Sequence, residues 1–411
     1  MHVTMANNYL YLRGGSERVM YEEAAVLQRQ GHGVSFFGRL RAEDGPDAHG
    51  GLLPPLVDLE ALSLRGKIAH APRLIYSRDT GRRFQRFLDV ERPDIIHGHN
   101  IYGGLTTAIC DAARRRGIPM VLTLHDYKLA CPSYLMLNHG RVCEECVPGK
   151  FYRCIGNRCH KHSLVSSLIY GAEAYFNAWL RKYRHIRLFL CPSRFLLGKM
   201  AAAGIPNDRL RYLPNAVAVE QYAPDYDGTD YLLYVGRLSA EKGIYTLLHA
   251  MRDVDAPLAI LGDGPLRPEL EAFVARAGLA ERVRFLGYQQ GEALARYYRQ
   301  AACVVLPSEC YENAPMTVLE AYAYGKPVVG ARIGGIPEMI ESDATGLLFS
   351  PGHADELAAY LRTLWSDRPR RAAMGRRARA LVGERFSLQT HVDRLLALYR
   401  EALADDSGFV E

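Results

Sequence analysis

Residues 307–338 read PSECYENAPMTVLEAYAYGKPVVGARIGGIPE, and this stretch decides the fold. Just ahead of it, Ala301 to Leu306 (AACVVL) is a short apolar run of the kind that builds a strand buried on both faces. A polar loop follows. Pro315 suits the first turn of a helix, Val318, Leu319 and Tyr322 stand at helical spacing, and Gly325 falls where such a helix would end. Lys326-Pro327 stops the helix, and Val328-Val329 starts another strand. Strand, loop, helix and strand in this order form a parallel crossover unit, which binds ligands outside the carboxyl ends of its strands. The loop Asn313-Ala314-Pro315 leads into a helix start whose amides, around Met316, Thr317 and Val318, would face an anion with the positive end of the helix dipole behind them. A diphosphate fits there. Glu312 and Glu320 flank that start, and a carboxylate can accept from two vicinal hydroxyls at once, as sugar rings present them. Glu320 would take a ribose and Glu312 a second sugar.

A chain of 411 residues suits two domains of roughly 150–200 residues each. The composition, 48% hydrophobic and 23% charged, is that of a globular protein. No apolar run approaches the roughly 18–20 residues that cross a bilayer, and the start lacks a signal peptide's regions, so a cytoplasmic location is expected. The net charge of +6 is modest, and no nucleic-acid-binding motif accompanies it.

Val3 to Asn7, Ser16 to Gln30 and Val34 to Phe37 read as strand, helix and strand. Gly14-Gly15 in the connecting loop would let the backbone approach a ligand, and Ser16 would cap a helix whose start could hold an anion. The dinucleotide fingerprint is missing, since neither its glycine spacing nor an acid after the second strand is present. Asp94 to His97 and Met120 to Leu124 are further buried strands, delivering His97, His99 and Asn100, then His125 and Asp126, at their ends. Tyr231 to Val235 is another, followed by Gly236-Arg237-Leu238-Ser239-Ala240-Glu241-Lys242-Gly243. Arg237 and Lys242 bring two cations to one place, which suits phosphate.

The 307–338 stretch closely resembles the signature of the retaining, nucleotide-sugar-dependent glycosyltransferases of family four. Its two glutamates are spaced as in that family, and Pro315, Ala321, Gly325, Pro327 and Gly334-Gly335 also match. RGGSER, PDIIHGHN, TLHDY and VGRLSAEKG resemble further family segments, so the resemblance spans nearly the whole chain. It implies an α/β protein of the GT-B fold, two Rossmann-like doubly wound domains facing a central cleft. Residues 1–213 would form the acceptor side, residues 214–385 the nucleotide-sugar side, and residues 386–411 a helix crossing back. The activity implied is transfer of a sugar from a nucleotide diphosphate donor to a sugar or lipid-linked acceptor, in surface polysaccharide or glycolipid assembly. Arg237 and Lys242 would hold the diphosphate, His125 would contact the donor sugar, and the glycine loop would line the cleft. No catalytic metal is required, because the protein supplies the cations. An epimerase of the same fold and a non-catalytic zinc-containing protein are the alternative readings.

The departure from the family is an insertion at residues 131–162, with Cys131, Cys143, Cys146, Cys154 and Cys159. In a reducing cytosol such spacing supplies a structural zinc site, with Cys131, Cys143, Cys146 and Cys159 as ligands and Cys154 as an alternate; disulfides and free thiols are the other states open to it. A long helical stretch then runs through Tyr183. Upstream, Gly38 to about Pro72 reads as loops. Arg73, Arg82, Arg83 and Arg86 surround Phe84 and Phe87, either as a solvated helix face or as a surface for an anionic membrane, which would make the protein peripheral on its inner face. Gly383 is expected to break the chain ahead of a final amphipathic helix, Phe386 to Leu403.

Overall fold

In a computed structural model of the chain the described residues are 1–41, 43, 49–58, 63–228 and 230–404. They fall into two compact units. Met1–Asn138, Cys143–Leu213 and the segment from His391 make up the first; His139–Val142 and Pro214–Thr390 make up the second.

The first unit is built on six parallel strands, β1 (His2–Tyr9), β2 (Gly33–Arg39), β3 (Ile95–Gly98), β4 (Met120–Thr123), β5 (Ile186–Cys191) and β6 (Leu210–Tyr212), in the order β2-β1-β3-β4-β5-β6. The second has β7 (Tyr231–Val235), β8 (Leu258–Leu261), β9 (Val283–Phe285), β10 (Ala301–Leu306), β11 (Val328–Ala331) and β12 (Gly346–Phe349), in the order β9-β8-β7-β10-β11-β12. Each unit is thus a doubly wound α/β layer, as the apolar runs predict. Strand order reverses beside β1 in the first unit and beside β7 in the second, and such a switch point opens a crevice at the strand ends. All residues of β10 and β11 are buried, which explains their uninterrupted apolar sequence.

The helix after β10 runs Met316–Ala323, with Pro315 as the capping residue ahead of it. It ends as the sequence predicts. Gly325 adopts φ +72°, its amide donates to Tyr322 O at 2.9 Å, and the Lys326 amide reaches back to Ala321 O at 2.8 Å. That double closure satisfies carbonyls the helix leaves open, and only glycine enters this backbone region without strain.

Four expectations are corrected. A helix, Leu64–Ile75, begins inside the stretch read as loop, its start held by Ser63 Oγ accepting from the Gly66 amide at 3.2 Å; residues 42, 44–48 and 59–62 of that stretch lie outside the described ones. Ser16 is not a cap: the helix begins at Gly15 with Gly14 as its capping residue, and the Ser16 hydroxyl bonds to Glu17 Oε1 at 2.9 Å. Gly383 does not break the chain, because Arg368–Arg385 is one helix through it. The break falls at Phe386-Ser387, where Ser387 Oγ accepts the Thr390 amide at 3.3 Å and the last helix runs Leu388–Ala404, while residues 405–411 lie outside the described ones.

The fourth correction concerns the basic stretch. On the Arg78–Glu91 helix Phe84 and Phe87 are fully buried, with ring centres 4.5 and 5.2 Å from that of Phe37. They are core residues and present nothing to a membrane. Arg83 is held by Asp79 and by the Gly51 carbonyl. Phe84→Ala should therefore destabilise the protein by about 3–5 kcal/mol, the usual cost of emptying a buried aromatic site. Urea denaturation checks this, and an unchanged midpoint would return Phe84 to the surface.

Candidate functional site

In the second unit the groups singled out by sequence converge at the carboxyl ends of β7 and β10. The loops after β7 and β8 touch backbone to backbone: a Cβ on Gly262, at φ +125°, would lie 1.9 Å from Gly236 O, and one on Gly264 2.3 Å from Leu238 O. Tyr234 Oη donates to Arg237 O at 2.9 Å, fixing the turn from below. Gly243, at φ +65°, opens the next helix against the loop after β10, where a side chain would meet Pro307 O at 1.8 Å. This close approach delivers Lys242. Its Nζ donates to Glu312 Oε1 at 2.6 Å, and Ser308 Oγ donates to the same oxygen at 2.6 Å.

Glu312 is also fixed through its backbone. The Gly335 amide donates to Glu312 O at 2.7 Å, and Gly334, at φ +60°, lies so near that a Cβ would come within 2.3 Å of that oxygen. Burial opposes the charge on Lys242, but its neighbours, Glu312 foremost with Cys310 and Glu241, together outweigh it, so the lysine pKa is raised. A lysine and a glutamate are thereby held together beside a helix start. Arg237, on the same loop after β7, is exposed. Glu320 is buried, and its Oε2 accepts from Tyr298 Oη at 2.7 Å. At the helix start the Val318 amide is not available, since it donates to Pro315 O at 3.1 Å. The anion reading therefore rests on Met316 and Thr317. Asn215 Nδ2 pins the loop just ahead by donating to Ala314 O at 2.9 Å.

In the first unit Gly14 and Gly15 lie at the end of β1, but the helix they open already carries an acid, Glu17, which is buried and accepts from Asn7 Nδ2 at 3.1 Å. A carboxylate there competes with any incoming anion. Gly14 and Ser16 instead line a cavity of about 770 Å³, together with Asn8, Asn100, Asp126 and Lys128. Burial pushes the Asp126 carboxyl up to about 6, against the Lys128 amide that its Oδ1 accepts at 2.9 Å.

Beside it lies a buried histidine network. His99 Nδ1 and His125 Nε2 share a hydrogen bond at 3.0 Å, and His97 bonds to Tyr399 Oη and to Thr123 Oγ1, each at 2.7 Å. Glu23 Oε1 lies 2.8 Å from His391 Nε2, while its Oε2 is 3.6 Å from both His97 Nδ1 and His99 Nε2. Among the described residues this is the grouping of three His, Cys, Asp or Glu ligand atoms close enough to share an ion. Burial lowers His97 to about 3 and His125 to about 4, lowers His99 too, and raises Glu23. Burial thus favours the neutral form of His97, His99 and His125.

Among the described residues the thiols expected from spacing to hold zinc form no grouping of three ligand atoms close enough to share an ion. The thiols meet as two pairs: Cys146 hydrogen-bonds to Cys131, which is lowered to about 6 by that contact, and Cys159 bonds to Cys154, which is lowered likewise. Cys143 belongs to neither pair. Its amide is tied to Met136 O at 2.8 Å, the residue stays partly exposed, and Cys159 and Cys131 lie within electrostatic reach of it. Ser308, Tyr298 and the Glu23–His391 contact were not singled out by sequence. Ser308, inside the quoted stretch, had a signal in its position beside Glu312; Tyr298 and Glu23 had none.

Residues 13–221 match the model of Glycosyltransferase Family 4. The chain belongs to that family. Residues 221–381 match the model described as Glycosyl transferases group 1. Among relatives, alpha-D-kanosaminyltransferase of Streptomyces kanamyceticus is 33% identical over 180 residues, 43% of this chain and 46% of that protein; the chain thus spans about half the length of the curated relatives it matches first. Among solved structures, sucrose-phosphate synthase from Thermosynechococcus elongatus superposes with a TM-score of 0.73 at 19% identity, over 98% of this chain and 99% of that one. Anabaena Alr3699/HepE in complex with UDP-glucose gives 0.67 at 18%, over 98% and 100%. The fold class is GT-B.

The histidine network makes stability depend on pH in family-four chains built this way. A histidine whose folded pKa lies below its unfolded value of about 6.5 contributes fully above that value and loses its contribution as pH falls toward the folded pKa. His97, His99 and His125 should each cost up to about 1.4 kcal/mol per pH unit below 6.5, with Glu23 acting in the opposite sense. The urea midpoint should fall steadily from pH 7 to pH 5. A flat profile over that range would mean that these imidazoles charge freely in the folded protein.

Proposed function

We propose that this protein is a retaining glycosyltransferase that moves a sugar from a nucleotide diphosphate donor to a sugar or lipid-linked acceptor in surface polysaccharide or glycolipid assembly. The observation that carries the reading is the Lys242–Glu312–Ser308 cluster, fixed by the Gly334-Gly335 turn at the switch point of the second sheet. UDP-glucose bound to Anabaena Alr3699/HepE supports a nucleotide sugar as the donor class.

In this reading the diphosphate lies at the start of the Met316–Ala323 helix, with Arg237 and Lys242 as its cations. Cations held there ahead of the reaction would meet the charge developing on the leaving group without reorganising. Glu312 accepts from hydroxyls of the transferred sugar, while its bond to Lys242 holds it in position. Glu320, shared with Tyr298, takes the ribose. The bond from the anomeric carbon to the phosphate oxygen breaks as the acceptor oxygen bonds to the same face, and the acceptor proton passes to the departing phosphate. The cavity of the first unit, lined by Asn100, Asp126 and Lys128, takes the acceptor.

Incubation with a panel of nucleotide sugars, scored by nucleoside diphosphate release with and without acceptor, tests the reading. Glu312→Ala and Lys242→Ala should each lower transfer by roughly 10²–10³ without unfolding the protein. Near-wild-type turnover in either variant would remove the assignment. Glu320→Ala should raise the donor KM more than it lowers kcat, because ribose lies away from the reacting bond.

A further inference from the structure

Three buried side chains of the first unit turn one atom each toward a common point. Glu23 lies midway along the Gly15–Arg29 helix, His97 on β3 and His99 just past its end, and none is more than 1% exposed. β3 lies beside β1 with His97 level with Met5, which brings its end under the helix that leaves β1. Glu23 Oε2 stands 3.6 Å from both His97 Nδ1 and His99 Nε2, and the three atoms all lie within 4.8 Å of one another. The other side of each group is already engaged. Glu23 Oε1 bonds to His391 Nε2 at 2.8 Å, His99 Nδ1 to His125 Nε2 at 3.0 Å, and His97 Nε2 to Thr123 Oγ1 at 2.7 Å. Outer contacts of this kind fix the orientation and tautomer of metal-binding groups.

The inner atoms are left short. Glu23 Oε2 and His99 Nε2 are buried polar atoms with no hydrogen-bond partner, and 3.6 Å is too long for a bond between them. Each such atom carries the full desolvation cost of its group, so two of them facing each other point to an occupant in between. The spacing says which. A water donating to both at about 2.8 Å would hold them about 4.4 Å apart. Ligand atoms about 2.1 Å from a tetrahedral ion stand about 3.4 Å apart, much nearer to what is found. Two imidazole nitrogens and a carboxylate oxygen suit a divalent first-row transition ion of the zinc class, whereas magnesium and calcium take oxygen alone. Buried to this degree, the site gives a substrate no approach, so its ion is structural.

We propose that Glu23 Oε2, His97 Nδ1 and His99 Nε2 hold a structural divalent transition-metal ion in the first unit. His97 Nδ1 is bonded at 2.7 Å to Tyr399 Oη, so the ion takes that nitrogen in exchange for the hydroxyl. Bound there it ties the first helix to the end of β3 and, through the Glu23–His391 bond, braces the last helix. The site stands apart from the transfer reading, since it needs neither donor nor acceptor. The test titrates untagged protein, freed of metal by dialysis against a chelator, with Co²⁺ and then with Zn²⁺. One equivalent of Co²⁺ should give visible d–d bands without the near-ultraviolet thiolate-to-cobalt band, which separates this site from the cysteines of the insertion. Zn²⁺ should displace it and raise the urea midpoint. Glu23→Gln, which keeps the side chain's shape, should weaken Co²⁺ binding at least about 100-fold, since loss of an outer partner alone costs 10–100-fold. Tyr399→Phe, which frees His97 Nδ1, should bind at least as tightly as wild type. The proposal is overturned if wild type gives no thiolate-free cobalt bands, if Glu23→Gln binds with wild-type affinity, or if Tyr399→Phe binds more weakly.

Discussion

The candidate donor site depends on one contact, the ion pair of Lys242 and Glu312, and that pair depends on backbone approaches that only glycine permits. Lys242 arrives from the loop after β7 and Glu312 from the loop after β10, 70 residues apart in sequence. Neighbouring parallel strands bring the two loops side by side, but side chains at Gly243 or Gly334 would hold them apart, at Pro307 O and Glu312 O respectively. The cost of these glycines is conformational freedom lost on folding. The gain is a carboxylate whose position is set from two directions, by Gly335 through its carbonyl and by Lys242 and Ser308 through one oxygen. A group so held loses little further freedom when a polyhydroxylated ligand binds, which is the physical content of preorganisation.

The first unit solves a different problem. Its sheet ends bury histidines that water would otherwise solvate, and burying a polar group is tolerable only when it is hydrogen-bonded. The last helix supplies part of the answer: Tyr399 bonds to His97, and His391 to Glu23. Packing the helix from Leu388 onward against this unit therefore does more than cover apolar surface. It completes a network in which His97 and His99 stay neutral, and a neutral imidazole has one donor and one acceptor nitrogen, as the His99–His125 hydrogen bond requires.

The fold was legible wherever a buried strand is a short unbroken apolar run closed by a turn residue. Tyr231–Val235 and Ala301–Leu306 were read to the residue for that reason. Glu312 and Lys242 were legible as candidates through their loops, yet their direct contact was not, because pairing across 70 residues leaves no periodic trace. Helix ends misled where chemistry and geometry parted: Ser16 has the side chain of a cap, but its hydroxyl is spent on Glu17, and Gly383 was read as a break though helical backbone tolerates a glycine at about 1 kcal/mol. The cysteines show the same limit. Spacing states how many thiols can meet, whereas the pairing of Cys154 with Cys159 is decided by how the insertion folds back on itself.

Phe84 and Leu168 together show why an amphipathic pattern is half of a statement. Both lie on helices with one apolar side, and the sequence places cations near both. The arginines around Phe84 stand on the far side of their helix, so the ring enters the core beside Phe37. The side of the Leu164–Trp179 helix that enters the protein is instead lined with serine, glycine, glutamate and asparagine, each meeting a partner already fixed by other elements. A polar face with waiting partners can win the interior over an apolar one, because leaving Lys128 or Thr107 buried without its bond carries the full desolvation cost of that group. Periodicity therefore identifies the face of a helix. What the protein already holds in place decides which way that face turns.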